Sequence, residues 1–345
     1  MSAATGAAGA CARRTLIACS APPPRAPGAL SAAPAPLINR RDPWESPSGR
    51  RAATATPAAT PAAAAAAAAA ACGDPAAATP ELLALAHALA DAAAAVTTRY
   101  FRARSLPVDA KSDASPVTAA DREAEAAMRA LLAERAPTHA VFGEEAGFSG
   151  SADAEYMWVL DPIDGTKSFV TGKPVFGTLV ALLHRGAPVL GLLDQPVTRE
   201  RWAGAAGAPT TLNGAPIAVR PCADLSDAYL YATTPHMFAG ATEVSFNRVR
   251  DAVRIPLYGC DCYAYGLLAA GHVDLVVEAD LKPYDYLALA PIVAGAGGVI
   301  TDWAGAPLRW GAADAAAGRA PAGEVLAAGD ARAHAAALAL LDWGR

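Results

Sequence analysis

WVLDPIDGTKSFVTGKP, residues 158–174, carries a short apolar run into two aspartates three positions apart, Asp161 and Asp164, and then into Gly165-Thr166. A buried strand ending near Leu160 delivers Asp161 at its carboxyl end, where open α/β sheets gather their sites. Pro162 fixes φ and removes a donor, so Asp164 turns back to the same spot and the Ile163 carbonyl becomes a third oxygen. Mg²⁺ takes such carboxylate and carbonyl oxygens together with water. The free amides of a turn opened by Gly165-Thr166 suit an anion, and a cation beside an anion nest makes a phosphate site. A polar turn with an aspartate cap uses the same residues, so this stretch alone leaves both readings open.

The flanks set the fold class. Residues 80–101 place Leu82, Leu85, Leu89 and Ala93 on one helical face, with Thr79-Pro80 as cap and first turn. A second helix is predicted over 119–135. The apolar runs 157–160, 176–183 and 189–193 are bounded by Gly, Pro or Asp and read as strands covered on both faces. His184-Arg185-Gly186-Ala187 predicts a hairpin between the last two. Beyond them the pattern predicts helix 262–271, strand 272–280, helix 284–297 and strand 298–303. EVLAAG (324–329) and ARAHAAALALLDW (331–343) close the chain as strand and helix. Interleaved helices and strands make the class mixed α/β, with helices covering the sheets. The hairpin points away from a doubly wound parallel sheet.

Composition separates a leader from the rest. Residues 1–72 hold seven arginines, no lysine and two acids, Asp42 and Glu45, and end in the alanines 62–71. That Arg-rich, acid-poor profile predicts an organelle transit peptide over about 1–75, cut somewhere in 55–78; an untargeted Ala-rich extension is the alternative. After the leader, 21 basic and 31 acidic residues remain, and the chain's four lysines (Lys111, Lys167, Lys173, Lys282) form no stripe. A nucleic-acid partner is therefore not expected. No apolar run approaches the roughly 20 residues that span a bilayer, so no membrane partner is expected either. Cys260-Asp261-Cys262 is a C-x-C, not the C-x-x-C of redox or zinc sites, and the cysteines read as small packed thiols.

Three further acidic clusters stand at predicted element ends. VFGEEAG (141–147) sets Glu144-Glu145 between glycines, Asp121 opens a helix after a Ser-Pro turn, and Asp285 opens the 284–297 helix after Tyr284. Each also looks like a cap or a solvated acid, and spacing does not show that they converge. GEE, WVLDPIDGT and KPYDYLALAPIVAGAGG, however, resemble the three motif regions of the inositol monophosphatase family of Mg²⁺-dependent, lithium-sensitive phosphatases, over roughly residues 80–345.

That resemblance implies a layered αβαβα sandwich over 76–345, with αβ halves at about 76–225 and 226–345, and a homodimer. It implies two or three Mg²⁺ per site. Glu144, Asp161 and the Ile163 carbonyl would hold the first, and Asp161, Asp164 and Asp285 the second. Thr166 paired with Asp121 would orient the attacking water, the Gly165-Thr166 amides would bind phosphate, and Glu145 would be a supporting acid. These roles suit a phosphate monoester, which is inert enough in water to need a very large rate enhancement through metal-assisted attack.

TGKPVFGTLVALL, GLLDQPVTRERWAG and YGCDCYAYGLLAAGHVDLVVEADLKPYD are most similar to the histidinol-phosphate phosphatases of plants and some bacteria within that family. Asp261 stands where inositol-type members show a small neutral residue, and Tyr284 replaces a usual Trp. An anionic wall of Asp261 and Glu278 fits the imidazole and ammonium of histidinol phosphate; a cap on the helix starting at Cys262 is the other use of Asp261. Inositol 1-phosphate and galactose 1-phosphate are the alternative substrates, and a non-catalytic binding relative is a remote one. For a histidine-pathway enzyme the leader implies the chloroplast stroma, with the mitochondrion as alternative.

Overall fold

Along Tyr156–Asp164 the side chains alternate between two apolar environments. Trp158 and Leu160 face a helical layer, while Met157 and Val159 face the interior between two sheets. A strand buried on both sides reads as a continuous apolar run, which is why MWVL announces it. The computed structural model describes residues 73–104, 108–110 and 116–343, all within one compact unit. The arginine-rich and alanine segments of the leader, with Cys11, Cys19 and Cys72, lie outside the described residues, as does Lys111.

The first described half opens with helix α1 (Pro80–Tyr100), a short antiparallel ladder of β1 (Val108–Ala110) and β2 (Pro116–Thr118), and helix α2 (Ala119–Arg135). Thr79 caps α1 and Pro80 occupies its first turn. By length and composition alone α1 would also cross a membrane. Its Leu85, Leu89, Ala93 and Val96 are buried in one cluster with Trp158, Val180, Leu182 and Leu190. There follow β3 (Ala140–Gly143), β4 (Gly147–Ser149), β5 (Tyr156–Asp164), the short helix α3 (Thr166–Val170), β6 (Gly177–His184), β7 (Ala187–Gln195), β8 (Glu200–Ala205), β9 (Thr211–Leu212) and β10 (Ala215–Pro216). They make an eight-stranded sheet ordered β10-β9-β8-β7-β6-β5-β3-β4. The β3–β5 pair is parallel and its neighbours antiparallel. Arg185 and Gly186, with φ of 49° and 80°, form the predicted two-residue hairpin turn between β6 and β7.

The second half contributes β11 (Tyr229–Ala232), α4 (Ala241–Arg250), β12 (Ile255–Tyr258), α5 (Tyr263–Ala269), β13 (Leu275–Glu278), α6 (Pro283–Tyr286), α7 (Leu289–Gly295), β14 (Val299–Asp302), α8 (Ala312–Ala316), β15 (Val325–Ala328) and α9 (Ala331–Leu341). Its strands form a mixed sheet ordered β12-β11-β13-β15-β14. Phe246 and Val249 of α4 and Ala333, Ala337 and Leu341 of α9 cover one face of that sheet. Tyr265 and Leu268 of α5 and Ile292 and Val293 of α7 fill the space between the sheets. The order is thus helix, sheet, helix, sheet, helix: the layered αβαβα sandwich.

Two local departures from the sequence reading position the site. The single helix expected over 284–297 is two, α6 and α7, with Leu287 and Ala288 between them. Pro291 has no N–H to bond back to Leu287, and it falls in the first turn of α7, where that donor is dispensable. The strand expected to stop at Leu160 continues to Asp164 through a bulge, because Asp161 pairs with Leu179 but Asp164 with Gly177. In a regular strand residues three apart point to opposite faces; the extra residue re-aims one of them, which lets both aspartates serve one side. Gly191 and Gly204, paired across β7 and β8, let the α7 backbone rest on the sheet. A Cβ on Gly191 would run into the Ala288 carbonyl.

Candidate active site

The bulge at the end of β5 is the floor of the site. Asp161, 1% exposed, accepts from the Ile163 N–H on Oδ1 at 3.0 Å, so the carboxylate and the turn behind it are fixed together. Gly165 takes a left-handed φ of 83° and opens α3. Thr166, the first residue of α3, donates its hydroxyl toward the Ile163 carbonyl at 3.3 Å and toward Asp121 Oδ1 at 3.5 Å. Asp121 is held by α2, where its Oδ2 accepts from the Thr118 N–H and hydroxyl at 2.8 and 2.5 Å in a capping box. The cap and the site residue are the same carboxylate.

Two other segments close over this floor. Asp285 sits in the first turn of α6, with Oδ2 accepting from the Lys282 N–H at 2.7 Å. Asp164 Oδ2 accepts from the Cys262 N–H at 2.6 Å, tying the floor to the loop before α5. Asp161, Asp164 and Asp285 each place one carboxylate oxygen within 4.8 Å of the others. Glu144 follows β3, its N–H bonded to the Leu160 carbonyl at 3.1 Å, and its carboxyl adjoins Asp161.

The electrostatics follow from that crowding. Burial pushes the Asp161 carboxyl well above its ordinary range, and the neighbouring Glu144, Asp164 and Asp285 push the same way. Asp164 is raised by burial and by Asp261 and Asp285, against the Cys262 N–H. Burial takes Asp285 up to about 8, with Glu144 and Glu278 adding to the rise and the Lys282 amide opposing it. Carboxylates gathered out of water ionise together only when a positive charge joins them. Oxygen donors of this kind and number fit a hard divalent cation.

A profile of the inositol monophosphatase family matches residues 79–339. The chain belongs to the inositol monophosphatase family. It is 55% identical over 261 residues, 75% of each chain, to the bifunctional phosphatase IMPL2, chloroplastic, of Arabidopsis thaliana. It is 38% identical over 236 residues to a histidinol-phosphatase of Streptomyces coelicolor, covering 65% of this chain and 88% of that one. Among solved structures, an inositol monophosphatase from Zymomonas mobilis aligns with a TM-score of 0.67 at 47% identity, over 75% of this chain and 97% of its own. Membership makes this a phosphatase of small phosphate monoesters, on the family's layered fold.

Within this family fold, Asp121, Glu144, Asp161, Asp164 and Asp285 meet around the end of β5, and Asp261 and Glu278 lie within electrostatic reach of Asp164 and Asp285. Asp261 does not cap α5: its φ is 47°, and its Oδ2 accepts from the Ser168 hydroxyl at 2.6 Å. Glu278, at the end of β13, accepts from the Thr233 N–H at 2.8 Å and the Tyr265 hydroxyl at 2.9 Å. Tyr284 stacks on Phe142 with centroids 6.3 Å apart. Cys222, Cys260 and Cys262 are free thiols, the last buried.

Two residues with a part in the geometry were not singled out. Glu125, 1% exposed, accepts from the Glu145 and Ala146 amides at 2.7 and 3.0 Å and from Arg129 Nε at 2.7 Å, so it sets the turn that presents Glu144. Its sequence signal is the i, i+4 spacing from Asp121 to Glu125 to Arg129 on one helix face. Ser168 is the other; an isolated serine in KSFV carries no signal of its own.

Proposed function

We propose that this chain hydrolyses L-histidinol phosphate to L-histidinol and phosphate by direct attack of water. The observation that carries the phosphatase site is the convergence of Asp161, Asp164 and Asp285 beside the Gly165-Thr166 turn. Glu144, Asp161 and the Ile163 carbonyl are the residues that would hold one Mg²⁺; Asp161, Asp164 and Asp285 would hold a second. Held there, such cations would supply charge neutralisation for phosphoryl oxygens and a lowered pKa for water. The chain itself does the positioning. Thr166 Oγ1 accepts a proton from the attacking water as it donates its own to Asp121 Oδ1, a relay that a hydroxyl can run because it both donates and accepts. The amides of the Gly165-Thr166 turn hold the phosphate. The P–O bond to the alcohol breaks, the alcohol oxygen leaves with a proton taken from a solvent water, and the proton passed to Asp121 returns to solvent, so the protons balance.

Asp261 and Glu278 support the choice of ester. Both are acids within electrostatic reach of the Asp164–Asp285 region, where each raises a carboxyl. An ammonium-bearing alcohol gains from that charge where a neutral cyclitol does not. The second reading, an inositol or sugar monophosphatase, is favoured by the Zymomonas mobilis relative and by the word bifunctional in the Arabidopsis name. Charge-assisted hydrogen bonds contribute roughly 1.5–3 kcal/mol. At saturating Mg²⁺, kcat/KM for L-histidinol phosphate is therefore expected to exceed that for inositol 1-phosphate and galactose 1-phosphate by about 10-fold or more. Equal or better turnover of either sugar ester would overturn the choice.

The leader is part of the same proposal. Its composition and the chloroplastic Arabidopsis relative support import into the plastid. A fluorescent fusion beginning at residue 73 is expected to stay in the cytosol while the full chain enters plastids. Import of the truncated fusion would refute the role of the leader.

A further inference from the structure

Asp261 occupies an unusual backbone position for a charged side chain. Its φ of 47° follows Gly259 at 89°, and the loop turns the carboxyl against Gly165, where a Cβ would lie 2.8 Å from Asp261 Cγ. Glycine at 165 is what admits the carboxyl beside the phosphate-binding turn. From α3, Ser168, 8% exposed, reaches across the fold to donate to Asp261 Oδ2 at 2.6 Å. Hydroxyls in short helices more often bond back to their own carbonyls, as Thr171 does to Lys167 at 2.8 Å. Ser168 is spent on Asp261 instead. Among the described residues it is the donor that holds this carboxyl, and a single such contact to one oxygen leaves Oδ1 for a ligand.

We propose that Ser168 is a positioning residue for substrate choice: by holding Asp261 Oδ2, it fixes the carboxylate so that Oδ1 receives the ammonium group of the ester's alcohol. The inference rests on the reading of Asp261 as a substrate contact. Without the Ser168 hydroxyl the carboxyl is free to rotate away, and turned away it no longer holds an ammonium group.

The test is a cycle of S168A, D261A and the double variant. kcat and KM are measured for L-histidinol phosphate and inositol 1-phosphate at saturating Mg²⁺. S168A is expected to lower the ratio of the two kcat/KM values about 10-fold, the scale of one charge-assisted hydrogen bond, mainly by raising KM for L-histidinol phosphate. D261A is expected to lower it at least as far, and S168A to add nothing in the D261A background. If D261A lowers the ratio and S168A does not, the positioning role is refuted and the Asp261 contact stands. If D261A leaves the ratio unchanged, the contact fails and this inference with it. Equal losses on both esters from S168A, in both backgrounds, would make Ser168 structural and overturn the proposal.

Discussion

Asp164→Asn is expected to lower phosphate release by about 10³-fold or more, the scale of removing a group that stabilises charge in the transition state. The variant keeps the shape of the site. Asparagine Oδ1 can still accept from the Cys262 N–H that Asp164 now engages at 2.6 Å, so the floor stays tied to the loop before α5. What is lost is one negative charge from a cluster whose oxygens lie within 4.8 Å of one another. The Asp164 carboxyl is raised by burial and by Asp261 and Asp285, so removing its charge relieves crowding in the metal-free protein. The metal-free variant should therefore melt no lower than wild type, while stabilisation by added Mg²⁺ shrinks. Unchanged phosphate release from a folded D164N protein would show that the cluster is not the reacting site. A catalytically silent relative, one of the alternatives open in the sequence, predicts instead that neither wild type nor variant releases phosphate.

The contiguous part of the site is legible because one segment delivers it. Asp161, Ile163, Asp164, Gly165 and Thr166 sit together in the chain, and their order alone announces a strand end followed by an anion-binding turn. The convergence of Asp121, Glu144 and Asp285 on that turn is not local. It depends on a bulge that re-aims β5, on Glu125 fixing the turn after β3, and on Gly191 and Gly204 letting α7 and the preceding α6 come down onto the sheet. Each of these looks ordinary in sequence: an extra residue, a charged helix face, two small residues among apolar ones. Resemblance supplied what spacing could not.

Secondary structure failed where burial is one-sided or the element short. β8 reads ERWAGA, with one aromatic among polar and small residues, and β11 and β12 each span four residues. α4, ATEVSFNRVR, buries only Ser245, Phe246 and Val249, too sparse a stripe to stand out. The helices α1 and α2 have the opposite character, with caps at Thr79 and Thr118 and apolar faces several turns long, and their limits agree with the predicted ones within a residue.

Metal removal is expected to have the largest effect of all, and its pH dependence has a definite sign. Asp161 and Asp164 are raised well above the usual carboxylate range, and Asp285 to about 8. In the metal-free protein Asp285 keeps near neutrality a proton that a free carboxylate would have lost, and Asp161 and Asp164 are shifted in the same direction. A cation must displace that proton, so binding releases it and strengthens as pH rises. At Asp285 protons compete with the cation below about pH 8, and the competition fades above it. A site built from carboxylates already ionised would instead show an affinity that is flat across this range.

Phosphate release from L-histidinol phosphate, measured on chelated and desalted protein as Mg²⁺ is restored stepwise at pH 6.5 and pH 8, tests the central claim most directly. The site described here predicts no release above background without metal, recovery on addition, and a half-saturating Mg²⁺ concentration about 10-fold or more lower at pH 8. Phosphate release that survives complete metal removal would contradict it.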